Sequence, residues 1–144
     1  MSSAFDSSQY HAFDFWIGEW QVRTSDGNLA GHNRIERRCG GCALHEQYTT
    51  SRGYSGESLS IYDITRKVWH QTWVDNDRLL LLLEGNLQHK SMVLDGRTVS
   101  DGAQLTHHRI TWTPNADGSI RQLWESTNGN GERVISFDAT YTRL

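Results

Sequence analysis

The triplet Trp69, Gln71 and Trp73, each separated from the next by one residue, is the most informative group of side chains in the chain. Alternate residues of a strand share a face, so these two indoles and the amide point one way while His70, Thr72 and Val74 point the other. An amide between two indoles makes an apolar slot holding one donor-acceptor group, the usual makeup of a small-molecule pocket. An ordinary barrel core, with Gln71 bonded to neighbouring backbone, has the same makeup, so the triplet alone leaves both readings open. The same parity groups Leu44 with Glu46 and Tyr48, Ser58 with Ser60 and Tyr62, and Gln122 with Trp124 and Ser126. A purely structural core rarely collects so many hydroxyls, amides and carboxylates, because each costs about 1–3 kcal/mol if buried without a partner. Glu46, Tyr48, Ser58, Gln71 and Gln122 are therefore expected to converge in one cavity, with Trp69, Trp73 and Trp124 gripping the apolar part of a ligand. A carboxylate desolvated among aromatics has its pKa raised toward the working pH, which gives Glu46 the chemistry of a general acid or base. Parity does not say which face is inside; inverted, it lines the cavity with His45, His70, Arg121 and Glu125 and passes the proton-transfer role to His70.

The remaining reactive residue types form weaker patterns. Seven histidines include the pair His107-His108, but adjacent strand residues face opposite sides and cannot easily share an ion. There is no His-Glu-x-x-His or comparable spacing, so neither a metal nor a cofactor is expected. Cys39 and Cys42 have the spacing of a redox or zinc motif, yet they supply two of the four ligands that zinc requires and lack the strand-to-helix setting of a thioredoxin-like site. No nucleophile elbow, phosphate loop or dinucleotide fingerprint is present, and Asn128-Gly129-Asn130-Gly131 reads as a hairpin turn between two strands.

About nine stretches of alternating apolar and polar residues, divided by turn signals, must position these groups. They run near 14–24, 33–50, 57–65, 68–75, 78–87, 90–94, 104–113, 119–126 and 133–144, with a bulge or sharp bend expected at Gly40-Gly41 inside the second. Thirteen glycines and one proline suit many short strands joined by turns. The fold class is thus all-β: one antiparallel up-and-down barrel of nine to ten strands over residues 1–144, with 1–13 irregular or short-helical. Closure removes the exposed edges of a flat sheet, and a barrel of this size is wide enough for one small ligand. A two-sheet sandwich is the alternative that the same pattern permits.

Bulk properties exclude several partners. Fourteen basic and seventeen acidic residues are spread along 144 positions for a net charge of −3, leaving no footprint for nucleic acid. The opening residues lack a basic n-region and an unbroken apolar stretch, and the longest apolar run, Leu79 to Leu83, is too short to span a bilayer. No membrane association and a cytoplasmic location are the resulting expectations.

The segment Phe13-Asp14-Phe15-Trp16-Ile17-Gly18-Glu19-Trp20 resembles the opening signature of a family of small uncharacterised bacterial proteins with a calycin-like, lipocalin-related fold. The likeness continues through Gly41-Cys42-Ala43-Leu44-His45-Glu46, Gly56-Glu57-Ser58-Leu59, Trp69-His70-Gln71-Thr72-Trp73 and Gly118-Ser119-Ile120-Arg121-Gln122, nearly the whole chain. The resemblance implies a barrel with an interior cavity and carries no settled activity. It also implies that Trp20 packs under a basic residue of the last strand, here Arg143, shutting one end of the barrel by a guanidinium lying on an indole. Related barrels that hold haem use a histidine near the C-terminus, and the ending Ala139-Thr140-Tyr141-Thr142-Arg143-Leu144 offers none.

Two functions from different classes fit these residues. One is a binding module for a small, partly apolar molecule, held by the three indoles and oriented by Gln71, Gln122 and Glu46. The other is an enzyme of isomerase, cyclase or lyase type, in which Glu46 or His70 moves a proton within a dry pocket. A component of a larger assembly is a third, with a homodimer as the commonest form.

Overall fold

The computed structural model describes residues 8–144 and is a closed ten-stranded antiparallel barrel. The strands are β1 (Gly18–Thr24), β2 (Leu29–Arg38), β3 (Ala43–Thr49), β4 (Ser55–Asp63), β5 (Val68–Asp75), β6 (Leu80–Gln88), β7 (Ser91–Ser100), β8 (Gln104–Pro114), β9 (Ile120–Thr127) and β10 (Arg133–Arg143). Each pairs with its neighbours in sequence, and β1 closes on β10 with Trp20 opposite Arg143 and Val22 opposite Tyr141. This is the expected up-and-down barrel, with no free edge strand.

Several boundaries differ from the sequence reading: β1 starts at Gly18 rather than near 14, β2 at Leu29 rather than near 33, and the strand expected over 90–94 with a turn at Asp95-Gly96 runs through those two residues to Ser100, paired with β8. Gly40-Gly41 is not a bulge within a long strand but part of the connection between β2 and β3, which pair with each other. Cys39, Gly40 and Gly41 all take positive φ there, +56°, +66° and +96°. Two consecutive glycines accept that geometry without steric cost, so the chain reverses where a single bend was anticipated. Ser8–His11 is a single 3₁₀ turn, as expected of the segment before Asp14, residues 1–7 lie outside the described residues, and Asp14–Trp16, expected to open the first strand, is a second 3₁₀ turn instead.

Odd-numbered strands start, and even-numbered strands end, at the same end of the barrel, and the N-terminal 3₁₀ turns close that end. Phe13 stacks on Trp16 with ring centroids 4.7 Å apart and meets Trp69 and Trp112 edge-on. The Trp69 indole N–H donates to the Gln9 carbonyl, and the Trp20 indole N–H donates to the Trp16 carbonyl. The Arg143 guanidinium lies 4.1 Å from the centre of the Trp20 ring and donates to the Ile17 carbonyl. Trp20 and Arg143 thus form the guanidinium-on-indole closure anticipated from the opening signature. Gly18 leaves room for that guanidinium, because a Cβ at this position would overlap its Nη1. Among the described residues no helix is long and apolar enough to cross a membrane.

Candidate functional site

Inward-facing residues alternate along each strand as the pleat demands, and the parity groups of the sequence point into the barrel. Leu44, Glu46 and Tyr48 are buried from β3, Ser58, Ser60 and Tyr62 from β4, and Trp69 and Gln71 from β5. The inverted assignment is corrected: His45, His70, Arg121 and Glu125 lie on the outer face. There His45 pairs with Glu57 at 2.8 Å, His70 with Glu84 at 3.1 Å, Arg121 with Asp138 and Glu125 with Arg133. Since β5 has one face in and one out, burying its two indoles forces His70 outward, away from any cavity chemistry. His107 and His108 separate as adjacent strand residues must. His107 is half-buried on the outer face beside Asp95, while His108 is buried against Thr98, Trp124 and Ser126.

A cavity occupies the half of the barrel opposite the plug, with about 560 Å³ of space, its open mouth included. Glu46, Gln71, Gln122 and Tyr141 give it a polar floor, with Leu81, Ile110 and Trp112 beside them. Tyr48, Tyr54, Trp73, Trp124 and Phe137 form its aromatic wall. Of the expected site residues, Glu46, Tyr48, Gln71, Trp73, Gln122 and Trp124 line this space. Ser58 stands just behind Glu46. Trp69 does not line it; its indole belongs to the closed end, between Phe13 and Tyr62.

The floor holds a hydrogen-bonded chain from Ser58 through Glu46, Asn33 and Tyr141 to Gln122, with a separate Gln71–Ser60 pair beside it. Asn33 Nδ2 donates to Glu46 Oε2 at 2.7 Å and to the Tyr141 hydroxyl at 2.9 Å. Ser58 Oγ donates to Glu46 Oε1 at 2.7 Å, and the Tyr141 hydroxyl donates to Gln122 Oε1 at 2.6 Å. Gln71 Nε2 donates to Ser60 Oγ at 3.0 Å. The cross-strand register sets up these contacts, with Glu46 opposite Ser58, Ser60 opposite Gln71, and Gln122 opposite Ala139 and so diagonal to Tyr141. Burial pushes the Glu46 carboxyl up to about 7, against the opposing pull of the Asn33 and Ser58 hydrogen bonds. Burial and the nearby Glu46 charge push Tyr48 up to about 12, and the same two causes hold Tyr141 well above the ordinary tyrosine range.

The wall is held from outside the cavity. Trp73 Nε1 and the Tyr54 hydroxyl both donate to Asp75 Oδ2, at 3.0 and 2.7 Å. Burial pushes Asp75 up, but these two bonds and the Leu79 and Asp77 backbone N–H groups more than offset it, so the carboxyl stays below its ordinary value. Trp124 donates its indole N–H to His108 Nδ1 at 3.0 Å, which leaves the ring proton on Nε2, facing Thr98 Oγ1 at 2.8 Å. Burial, followed by the neighbouring His107, lowers the His108 pKa and favours this neutral form.

Asn33, Tyr54, Asp75, Phe137 and Tyr141 were not anticipated as part of the site. Asn33 alone had a usable signal: counting back by two from Ile35 puts it on the inward face of β2. The Cys39 and Cys42 thiols are both free, in the turn after β2. No protein-family model matches this chain, and no curated protein matches it either.

Proposed function

We propose that the barrel binds one small, partly apolar molecule between the aromatic wall and the polar floor of its cavity. The observation that supports this most is the unequal use of the interior. One end is filled by an aromatic plug, whereas the other holds a cavity edged by half-buried Tyr54, Trp73, Trp124 and Phe137. Few convergent polar groups among many apolar ones is the usual composition of a ligand pocket. Mass spectra of the purified protein, native and denatured, test the reading together with a titration followed through the Trp73 and Trp124 indole NMR signals. A small molecule released on unfolding, or saturable shifts of those two signals with small aromatic alcohols, terpenoids or fatty acids, is the expected result. A protein that releases nothing and responds to none of the three classes would overturn it.

The position of Glu46 favours a second reading on the same cavity. A carboxyl titrating at about 7 inside an apolar space can take and return a proton near neutral pH, as an isomerase, cyclase or lyase requires. Under this reading Glu46→Gln lowers turnover by roughly a hundredfold or more while the ligand still binds. Turnover that survives the substitution removes Glu46 as the base.

A further inference from the structure

We infer that the cavity selects an organic ammonium, a small amine bearing a flat apolar group, with its charged nitrogen on Glu46 and its apolar part among Trp73, Trp124 and Phe137. This rests on the reading of the cavity as a binding site and narrows the ligand it takes.

Three observations point to a cation. The first is charge: among the described residues no lysine, arginine or histidine lines the cavity, and the ionisable residues that line it are Glu46 and the tyrosines 48, 54 and 141. A buried carboxylate with no counter-charge is unfavourable, and a ligand carboxylate placed beside it would be more so. An ammonium supplies the missing partner. Asp75, held ionised behind Tyr54 and Trp73, adds a second negative charge near the mouth, while Arg52 and Arg78 on the adjoining turns are exposed to solvent.

The second is the balance of donors and acceptors. Both Asn33 Nδ2 hydrogens are committed, to Glu46 and Tyr141, and the hydroxyl hydrogens of Ser58 and Tyr141 go to Glu46 and Gln122. Glu46 accepts one hydrogen bond on each oxygen and has capacity for two more. Asn33 Oδ1, buried in the same layer, has no hydrogen-bond partner among the described residues. The hydrogens of the groups bonded to Glu46 are therefore spent, so a ligand group placed on its carboxylate brings hydrogens of its own, while Trp112 Nε1 and the Gln122 amide keep donors for an acceptor elsewhere on the ligand. An ammonium has up to three and an alcohol one. The third observation is the wall, since aromatic faces attract a cation as well as packing against a flat apolar group.

The groups facing Glu46 leave its charge free to respond to the ligand. On its own strand stands Tyr48, and from β10 comes Tyr141; β2 and β4 present the uncharged Asn33 and Ser58. His45, the preceding residue, turns its ring to the outer face and pairs with Glu57, from where its charge exerts the weakest of the three effects that pull the Glu46 carboxyl down. At pH 8 Glu46 is mostly ionised, and an alkylamine is protonated.

Isothermal titration of the full chain at pH 8 with 2-phenylethylamine, 2-phenylethanol and phenylacetate tests the inference. The amine is expected to bind at least about tenfold tighter than the alcohol, with phenylacetate weakest, because only the amine forms charge-assisted hydrogen bonds. In Glu46→Gln the amine falls to the level of the alcohol. An alcohol or a carboxylate that binds the wild-type protein as tightly as the amine would overturn the inference and leave the binding site standing, as would an amine preference that survives Glu46→Gln. If none of the three binds, the inference falls together with the reading of the cavity as a site for small aromatic molecules.

Discussion

The two ends of the barrel use the same residue types for different ends. Trp16, Trp20, Trp69 and Trp112 are each at most 2% exposed, and the first three have no surface on the cavity. Trp73 and Trp124 are half-buried, stand on the cavity wall and give their indole hydrogens to Asp75 and His108. Trp69 and Trp73 make the contrast sharpest, since they lie on one face of one strand, four residues apart. What separates them is the described part of the N-terminal segment, which covers the first through the Gln9 carbonyl and the Phe13 ring. Aromatic residues inside a barrel thus fill space where another segment closes on them and bound a cavity where none does.

Truncating one indole at each end tests this division most strongly. Trp16→Ala removes a fully buried ring between Phe13 and Trp112 and is expected to cost about 3–5 kcal/mol in urea denaturation. Trp124→Ala takes away a half-buried wall residue and is expected to cost no more than about 2 kcal/mol, part of it from His108 Nδ1 losing the shorter of its two hydrogen bonds and keeping the one to Ser126. Equal costs at the two ends would break the comparison.

Between the ends, the polar floor imposes a pH dependence that Glu46→Gln should remove. With a folded-state pKa of about 7 against an ordinary 4.5, Glu46 keeps a proton in the folded protein over a pH range in which the unfolded chain has lost it. Stability therefore falls as pH rises from 4.5 to about 7 and levels off above, a total of about 3 kcal/mol. A glutamine can still accept from Asn33 Nδ2 and donate to Ser58 Oγ without a charge to bury. Glu46→Gln is expected to be about 2–3 kcal/mol more stable than wild type at pH 8 and equal to it at pH 4.5, read from urea midpoints at both. A wild-type protein whose midpoint is flat across this range would show that Glu46 is solvated rather than sealed in the floor.

Strand parity carried much of this arrangement into the sequence. Once the two indoles of β5 are placed inward, Gln71 follows, and the paired strands bring Ser58, Ser60 and Glu46 with it. Parity says nothing about depth along the barrel, so Trp69 and Trp73 looked alike and only the fold of residues 8–16 distinguishes them. The missed members have local reasons. Tyr54 precedes β4 in a turn where alternation does not apply, and Phe137 follows a register shift between Ile135 and Phe137 that breaks the count along β10. Asp75 ends β5 and acts through the side chains it holds, which spacing does not reveal.

The smallest expected effect on stability separates the ends most cleanly in function. Gly56 lies on the inward face of β4 next to Trp73, and a Cβ there would overlap the six-membered ring of that indole. The glycine is what lets Trp73 lie flat against β4 while its N–H reaches Asp75. Gly56→Ala must displace the ring, and because Trp73 is half-buried it can move toward the mouth at an expected cost of about 1 kcal/mol. The plug is distant from this change, so the indole NMR signals of Trp16 and Trp20 should stay in place while those of Trp73 and Trp124 shift and the affinity for 2-phenylethanol changes several-fold. Shifts that extend to Trp16 and Trp20 would mean that the two ends respond as one unit, and the division between a packed end and a binding end would no longer hold.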